Sequence, residues 1–175
     1  MERTLVIVDV QYDFLQGGSL AVPRADASYV AAIEAIRPLF DQIILTADNH
    51  PKNHVSFSIF PPHCVAHTHG AELAVSPGDL LLLKGEQLEK DEFSAFSEGK
   101  NIDKIDGKEI YVLGLAGDYC VKQTILDLLQ YAPKKRIHAI TDLIHSVDGT
   151  EYVKNDPFNG KVTFITSREL VSYVK

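Results

Sequence analysis

Six short apolar runs, most of them bounded by a charged residue, constrain this chain more than any other feature of its sequence. They are Thr4–Asp9 (TLVIVD), Gln42–Ala47 (QIILTA, followed by Asp48), Asp79–Lys84 (DLLLLK), Glu109–Gly114 (EIYVLG), Arg136–Thr141 (RIHAIT, followed by Asp142) and Lys161–Ile165 (KVTFI). Runs of Val, Ile and Leu without polar alternation read as strands buried on both faces, which is the habit of a parallel sheet. Between them lie stretches with helical spacing. Ala25 to Leu39 carries Pro38 near its end, Tyr119 to Tyr131 is amphipathic, and a terminal helix starts after Thr166-Ser167, where a hydroxyl can cap it. Strands alternating with helices predict an α/β fold.

The 175 residues suit one domain spanning 1–175. At this size folding hides roughly 70% of the unfolded chain's surface, so no metal or disulfide is needed merely to hold the chain together. A formal charge of −7 repels a phosphate backbone and excludes nucleic acid as the expected partner. The run Lys134-Lys135-Arg136 reads as the polar approach to a strand. The chain opens Met-Glu-Arg-Thr and enters an apolar run broken by Asp9, without the pattern of a signal peptide or membrane span, so a cytoplasmic location away from membranes is expected. Two cysteines in such a setting argue for a working thiol rather than a disulfide framework.

In open parallel sheets, ligands bind beyond the carboxyl ends of the strands. That rule selects Asp9, Asp48, Lys84, the Ala116–Cys120 turn and Asp142, although an aspartate after a strand is also a common cap or turn residue. Cys120 follows a strand and a glycine-bearing turn and opens a helix. Free N–H groups and the helix dipole at that position favour thiolate, and the same N–H groups could hold an oxyanion. A nucleophilic thiol needs a base, and no histidine pairs with Cys120 in sequence. Asp9 as base with Lys84 as an electrostatic partner is the alternative arrangement. Cys64, inside a long loop, reads as a packing residue.

That loop, Asn49 to Gly78, loses periodicity and fills with Pro, His, Ser and Phe, which marks an ordered, site-building segment. Asp48, His50, His54 and His63 cluster at its start. A carboxylate with neutral imidazoles suits one divalent ion, zinc first, with manganese or iron as alternatives. The i, i+2 spacing of Asp48 and His50 lets both face one ion.

Taken in order, Asp9-Val10-Gln11-Tyr12-Asp13-Phe14, Gly17-Gly18-Ser19-Leu20, Asp48-Asn49-His50-Pro51, Asn53-His54-Val55-Ser56-Phe57, Pro62-His63-Cys64-Val65, Thr68-His69-Gly70-Ala71, Lys84-Gly85 and Gly114-Leu115-Ala116-Gly117-Asp118-Tyr119-Cys120-Val121 with Thr124 form a series. The series resembles the nicotinamidase/pyrazinamidase branch of the isochorismatase-like cysteine hydrolases, over Thr4 to about Asp148. The resemblance implies a Rossmann-like three-layer α/β fold with a six-stranded, mainly parallel sheet. It implies an amidohydrolase that cleaves a linear amide C–N bond, turning nicotinamide into nicotinate and ammonia through a thioester, in pyridine nucleotide salvage, with pyrazinamide as a further substrate. On the matching positions it makes Cys120 the nucleophile, Asp9 the base, Lys84 the third catalytic member, and the N–H groups of Ala116 and Cys120 the oxyanion hole beside a cis Leu115–Ala116 bond. Asp48, His50 and His63 would hold the metal, which orients the pyridine nitrogen. His54 stands either as a fourth ligand or as a neighbour of the ligands. Phe14, Phe60 and Tyr119 would line the ring pocket, with plain core packing the other reading of Phe60. Where many relatives carry Trp-Pro this chain has Pro61-Pro62, and it has no tryptophan.

The implied partner is the small molecule nicotinamide, with a homo-oligomer compatible with the sequence. Other readings are a cysteine amidohydrolase for another small amide or carbamoyl compound, and a non-catalytic metal- or ligand-binding homologue. No C-x-x-C supports a redox thiol protein.

Overall fold

The computed structural model describes residues 2–149 and 156–174. Six strands form one sheet: β1 (Arg3–Val8), β2 (Gln42–Asp48), β3 (Leu80–Lys84), β4 (Glu109–Leu115), β5 (Arg136–His145) and β6 (Thr163–Ile165). Their spatial order is β3-β2-β1-β4-β5-β6, and every pairing is parallel. The expected α/β architecture is therefore present, with an all-parallel sheet. β1 lies between β2 and β4, and Leu5, Val6, Ile7 and Val8 are wholly buried. Each such side chain contributes on the order of 1.5–3 kcal/mol through burial, which is why the apolar runs pin the sheet.

The helices are α1 (Ala27–Ile36), α2 (Lys122–Tyr131) and α3 (Ser167–Val174). Asp26 caps α1 by accepting from Tyr29 N, and Pro38 falls in a 3-10 turn at Arg37–Leu39, so the expected helix from 25 to 39 divides there. Connections leaving β1 and β4 run in opposite directions across the sheet. Right-handed crossovers then put α1 and α2 on opposite faces. The order reverses between β1 and β4, and a crevice opens beyond their carboxyl ends. Among the described residues no helix is long and apolar enough to cross a membrane.

Two strand boundaries differ from the sequence reading. β5 continues through Asp142 to His145, because a register shift opposite Val112 and Gly114 lets it keep pairing with β4. Asp142 consequently lies outside the crevice, exposed, where it accepts from Ser167 N at 2.7 Å and Ser167 Oγ at 2.5 Å at the start of α3. β6 begins at Thr163 rather than Lys161. Gly114, with φ of 129°, packs directly on β1: a Cβ there would run into the backbone of Val8.

Candidate active site

Four strand ends converge on one buried ion cluster. Lys84, the last residue of β3, places Nζ 2.7 Å from Asp9 Oδ2 and 2.5 Å from Asp48 Oδ1. The same Nζ lies 3.4 Å from Cys120 Sγ. Asp9 leaves β1 with φ of 49°, a left-handed conformation that Asp tolerates better than most residues. Its Oδ1 accepts from Thr46 Oγ1 at 2.7 Å and its N–H donates to Thr46 O at 3.1 Å. The ligand atoms of Asp9, Asp48 and Cys120 all lie within 4.8 Å of one another. All these side chains are buried, so the ammonium between two carboxylates is what makes the charges tolerable.

Burial pushes the Asp9 carboxyl above its usual range, although the Lys84 ammonium pulls it down. Burial also drives the Cys120 thiol up, with Lys84 opposing and Asp9 and Asp48 adding to the rise. These surroundings oppose thiolate, where a helix start by itself would favour it. Gly117–Val121 forms a π-helical turn with Val121 N donating to Ala116 O at 3.1 Å, and α2 begins only at Lys122. Leu115–Ala116 is a cis peptide bond.

Asp48 faces the second half of the site as well. Its Oδ2 lies 3.5 Å from His50 Nε2, and the ligand atoms of Asp48, His50 and His63 fall within 4.8 Å of one another. His50 Nδ1 donates to Gly85 O at 2.8 Å and His63 Nδ1 donates to Pro61 O at 2.8 Å. Each carbonyl can only accept, so both neutral rings keep their lone pair on Nε2. Nδ1 atoms anchored on backbone carbonyls, with the Asp48 carboxylate in reach of both rings, are the pattern of metal-ligating histidines, so these residues fit a divalent cation. His54 is placed differently. Its Nε2 donates to Lys90 O at 2.9 Å, and its Nδ1 accepts from Ser56 N at 3.2 Å and lies 2.8 Å from Ser56 Oγ, so both ring nitrogens are engaged. Its ring stacks on His50 at 4.1 Å.

Both halves open into one cleft. Phe14, Phe60 and Tyr119 line it, as do Ala116, Cys120 and His63. Phe60 meets Tyr119 edge-on at 5.2 Å and His63 at 6.0 Å, so it is wall rather than core. The sequence reading missed Asp91, Glu92 and Phe93, which complete the wall from the irregular stretch after β3. Phe93 lies 5.9 Å from Tyr119. It also missed Gln11, whose amide accepts from Asp48 N at 2.9 Å and donates to Asp48 O and Ala71 O at 2.8 Å each, fixing the Asp48 backbone. Its place two residues after Asp9, facing the β2 end, was the available signal.

Residues 3–153 match the family described as the Isochorismatase domain. The nicotinamidase of Escherichia coli (strain K12) is 33% identical over 178 residues, covering 80% of this chain and 81% of that protein. The nicotinamidase/pyrazinamidase of Mycobacterium tuberculosis (strain ATCC 25618 / H37Rv) is 32% identical over 161 residues, covering 77% and 83% respectively. Among solved structures, the pyrazinamidase of Pyrococcus horikoshii in complex with zinc superposes with a TM-score of 0.83 at 30% identity, over 95% of this chain and 99% of that one. With a match over most of its length and a sheet order and strand-end chemistry to go with it, the chain belongs to the isochorismatase family.

Proposed function

We propose that this protein is a nicotinamidase, hydrolysing nicotinamide to nicotinate and ammonia with Cys120 as nucleophile, Asp9 as proton carrier and Lys84 as their electrostatic partner. One observation carries the reading: Asp48 belongs both to the Lys84 cluster and to the Asp48–His50–His63 set, so a thiol and a cation-binding site face the same aromatic cleft. The E. coli and M. tuberculosis relatives bearing these activities support it.

Asp9 takes the thiol proton as Sγ attacks the amide carbonyl, and the carbonyl π electrons move onto oxygen, where the N–H groups of Ala116 and Cys120 act as donors. Lys84, at 3.4 Å, steadies the sulfur while it carries negative charge. Asp9 passes its proton to the amide nitrogen as the C–N bond breaks, which releases ammonia and leaves a thioester on Cys120. Water then loses a proton to Asp9 and attacks the thioester carbon. The C–S bond breaks, Asp9 returns the proton to sulfur, and nicotinic acid departs and ionises to nicotinate in solvent. A raised Asp9 pKa suits a group that must hold a proton between two steps.

Asp48, His50 and His63 would hold one divalent ion, which we take to be zinc, as in the P. horikoshii complex. That ion supplies an anchor for the pyridine nitrogen, fixing the ring so that the amide meets Cys120. In this reading His54 braces the His50 ring and is not a ligand. Phe14, Phe60 and Tyr119 enclose the substrate ring.

The test is ammonia release from nicotinamide, with and without chelator, using benzamide as the control that lacks the ring nitrogen. Turnover of nicotinamide that weakens on chelation, with poor turnover of benzamide, is expected. Equal turnover of both amides would overturn the orienting role of the ion, and inertness toward nicotinamide would overturn the activity.

A further inference from the structure

The His50 ring depends on a backbone group that has little else to define it. Gly85 has φ of 66°, and a Cβ on it would lie 2.5 Å from His50 Cε1 and 2.7 Å from Nδ1. The imidazole therefore requires glycine beside it. Glycine is also the residue with the widest backbone freedom, so its conformation must be set by what its polar groups bind. Its carbonyl is the acceptor for His50 Nδ1 at 2.8 Å, and its N–H donates to Glu92 Oε1 at 3.3 Å.

Glu92 is itself tied down. Its second oxygen, Oε2, accepts from Ser97 Oγ at 3.1 Å and from Lys100 Nζ at 3.1 Å. Its side chain is 15% exposed and forms the partition between the substrate cleft and a second, polar cavity bounded by Glu86, Gln87, Lys90 and Asn101. Without that carboxylate the Gly85 N–H would face a polar cavity and a left-handed glycine would be free to turn. The His50 acceptor would move with it. Ser97 and Lys100 lie beyond the cleft lining, so Oε2 is held from outside the cleft while Oε1 meets the Gly85 backbone.

We propose that Glu92 is a positioning residue for the cation site, acting through the Gly85 backbone to hold His50 with Nε2 toward the ion. The proposal rests on Asp48, His50 and His63 holding a metal, and the experiment separates the two. Zinc dissociation constants are measured on the metal-free full-length protein by competition with a chromophoric chelator, for wild type, Glu92→Leu and Glu92→Gln. Removing a partner that orients a metal-ligating histidine weakens affinity by about 10–100-fold; acting one group further away, Glu92→Leu should weaken zinc binding by about tenfold. Glu92→Gln keeps an oxygen able to accept from Gly85 N–H, so it should stay within about threefold of wild type, by the same scale. With zinc saturating, Glu92→Leu should raise KM for nicotinamide more than it lowers kcat. Circular dichroism melts of the metal-free variants monitor folding; if Glu92→Leu does not fold, Glu92→Asp, too short by one methylene to reach both sides, replaces it with the same expectation. Unchanged zinc affinity in Glu92→Leu or Glu92→Asp, or equal losses in the Gln and Leu variants, overturns the role of Glu92. Failure of wild type to bind zinc overturns the metal-site reading instead.

Discussion

The two cysteines of this chain sit in surroundings that look alike by burial and differ in chemistry. Cys64 is fully buried and Cys120 is 7% exposed, and burial raises both thiols above the ordinary range. Cys64 occupies the long loop with φ of 47°. Its N–H donates to Asp13 Oδ2 at 2.8 Å, and its sulfur points to Gly70 O at 3.9 Å. Cys120 has an ammonium at 3.4 Å and a carboxylate within 4.8 Å, and it opens into the cleft. Reactivity is thus not decided by the resting acidity of the thiol. It is decided by whether a base can take the proton at the moment of attack and a cation can hold the charge that remains.

The sharpest break between the two positions is deletion. Cys120→Ala should lower nicotinamide hydrolysis by about 10⁴-fold or more, as loss of a nucleophile does elsewhere, measured as ammonia release. Asp9→Asn removes the proton carrier while keeping the shape, and should cost about 10²–10⁴-fold in kcat, the usual share of general acid–base catalysis. Lys84→Met tests the electrostatic partner. It leaves Asp9 and Asp48 buried without their cation, so denaturant unfolding of the metal-free chain should show a loss of about 3–5 kcal/mol, the cost of breaking a buried pair. A milder effect concerns pH. Asp9 must start ionised, and burial raises its pKa, so the acidic limb of kcat/KM should lie above the ordinary carboxylate range, with activity falling as pH drops through it. A limb at or below that range would contradict this assignment. Cys64→Ala should have the smallest effect, leaving kcat within a few-fold and costing about 1 kcal/mol of stability through the lost sulfur contacts.

The same contrast explains what could be read from the sequence. The β1, β2 and β4 runs were legible because continuous Val, Ile and Leu leave few alternatives to a doubly covered strand. Asp9, Asp48 and Lys84 were legible because a charge that ends such a run must lie at the sheet edge. Cys120 was legible as a strand-to-helix residue, but the state of its thiol was not. That state depends on burial and on Asp9, Asp48 and Lys84, brought together from three other strands. Glu92 and Phe93 escaped because the 85–101 segment has no period: Glu92 folds back onto Gly85, Ser97 and Lys100 of its own segment, and Phe93 meets Tyr119 from another element. Asp142 was misplaced because a strand end was inferred from one aspartate, whereas a register shift in the β4–β5 pairing carries β5 four residues further, to His145.

The central claim, that Cys120 and not Cys64 carries the acyl group, is tested most directly by quenching the enzyme during turnover of nicotinamide and mapping modified peptides by mass spectrometry. A nicotinoyl thioester on the peptide containing Cys120, absent from Cys120→Ala, is the predicted result. A nicotinoyl group on Cys64, or undiminished ammonia release by Cys120→Ala, would contradict it.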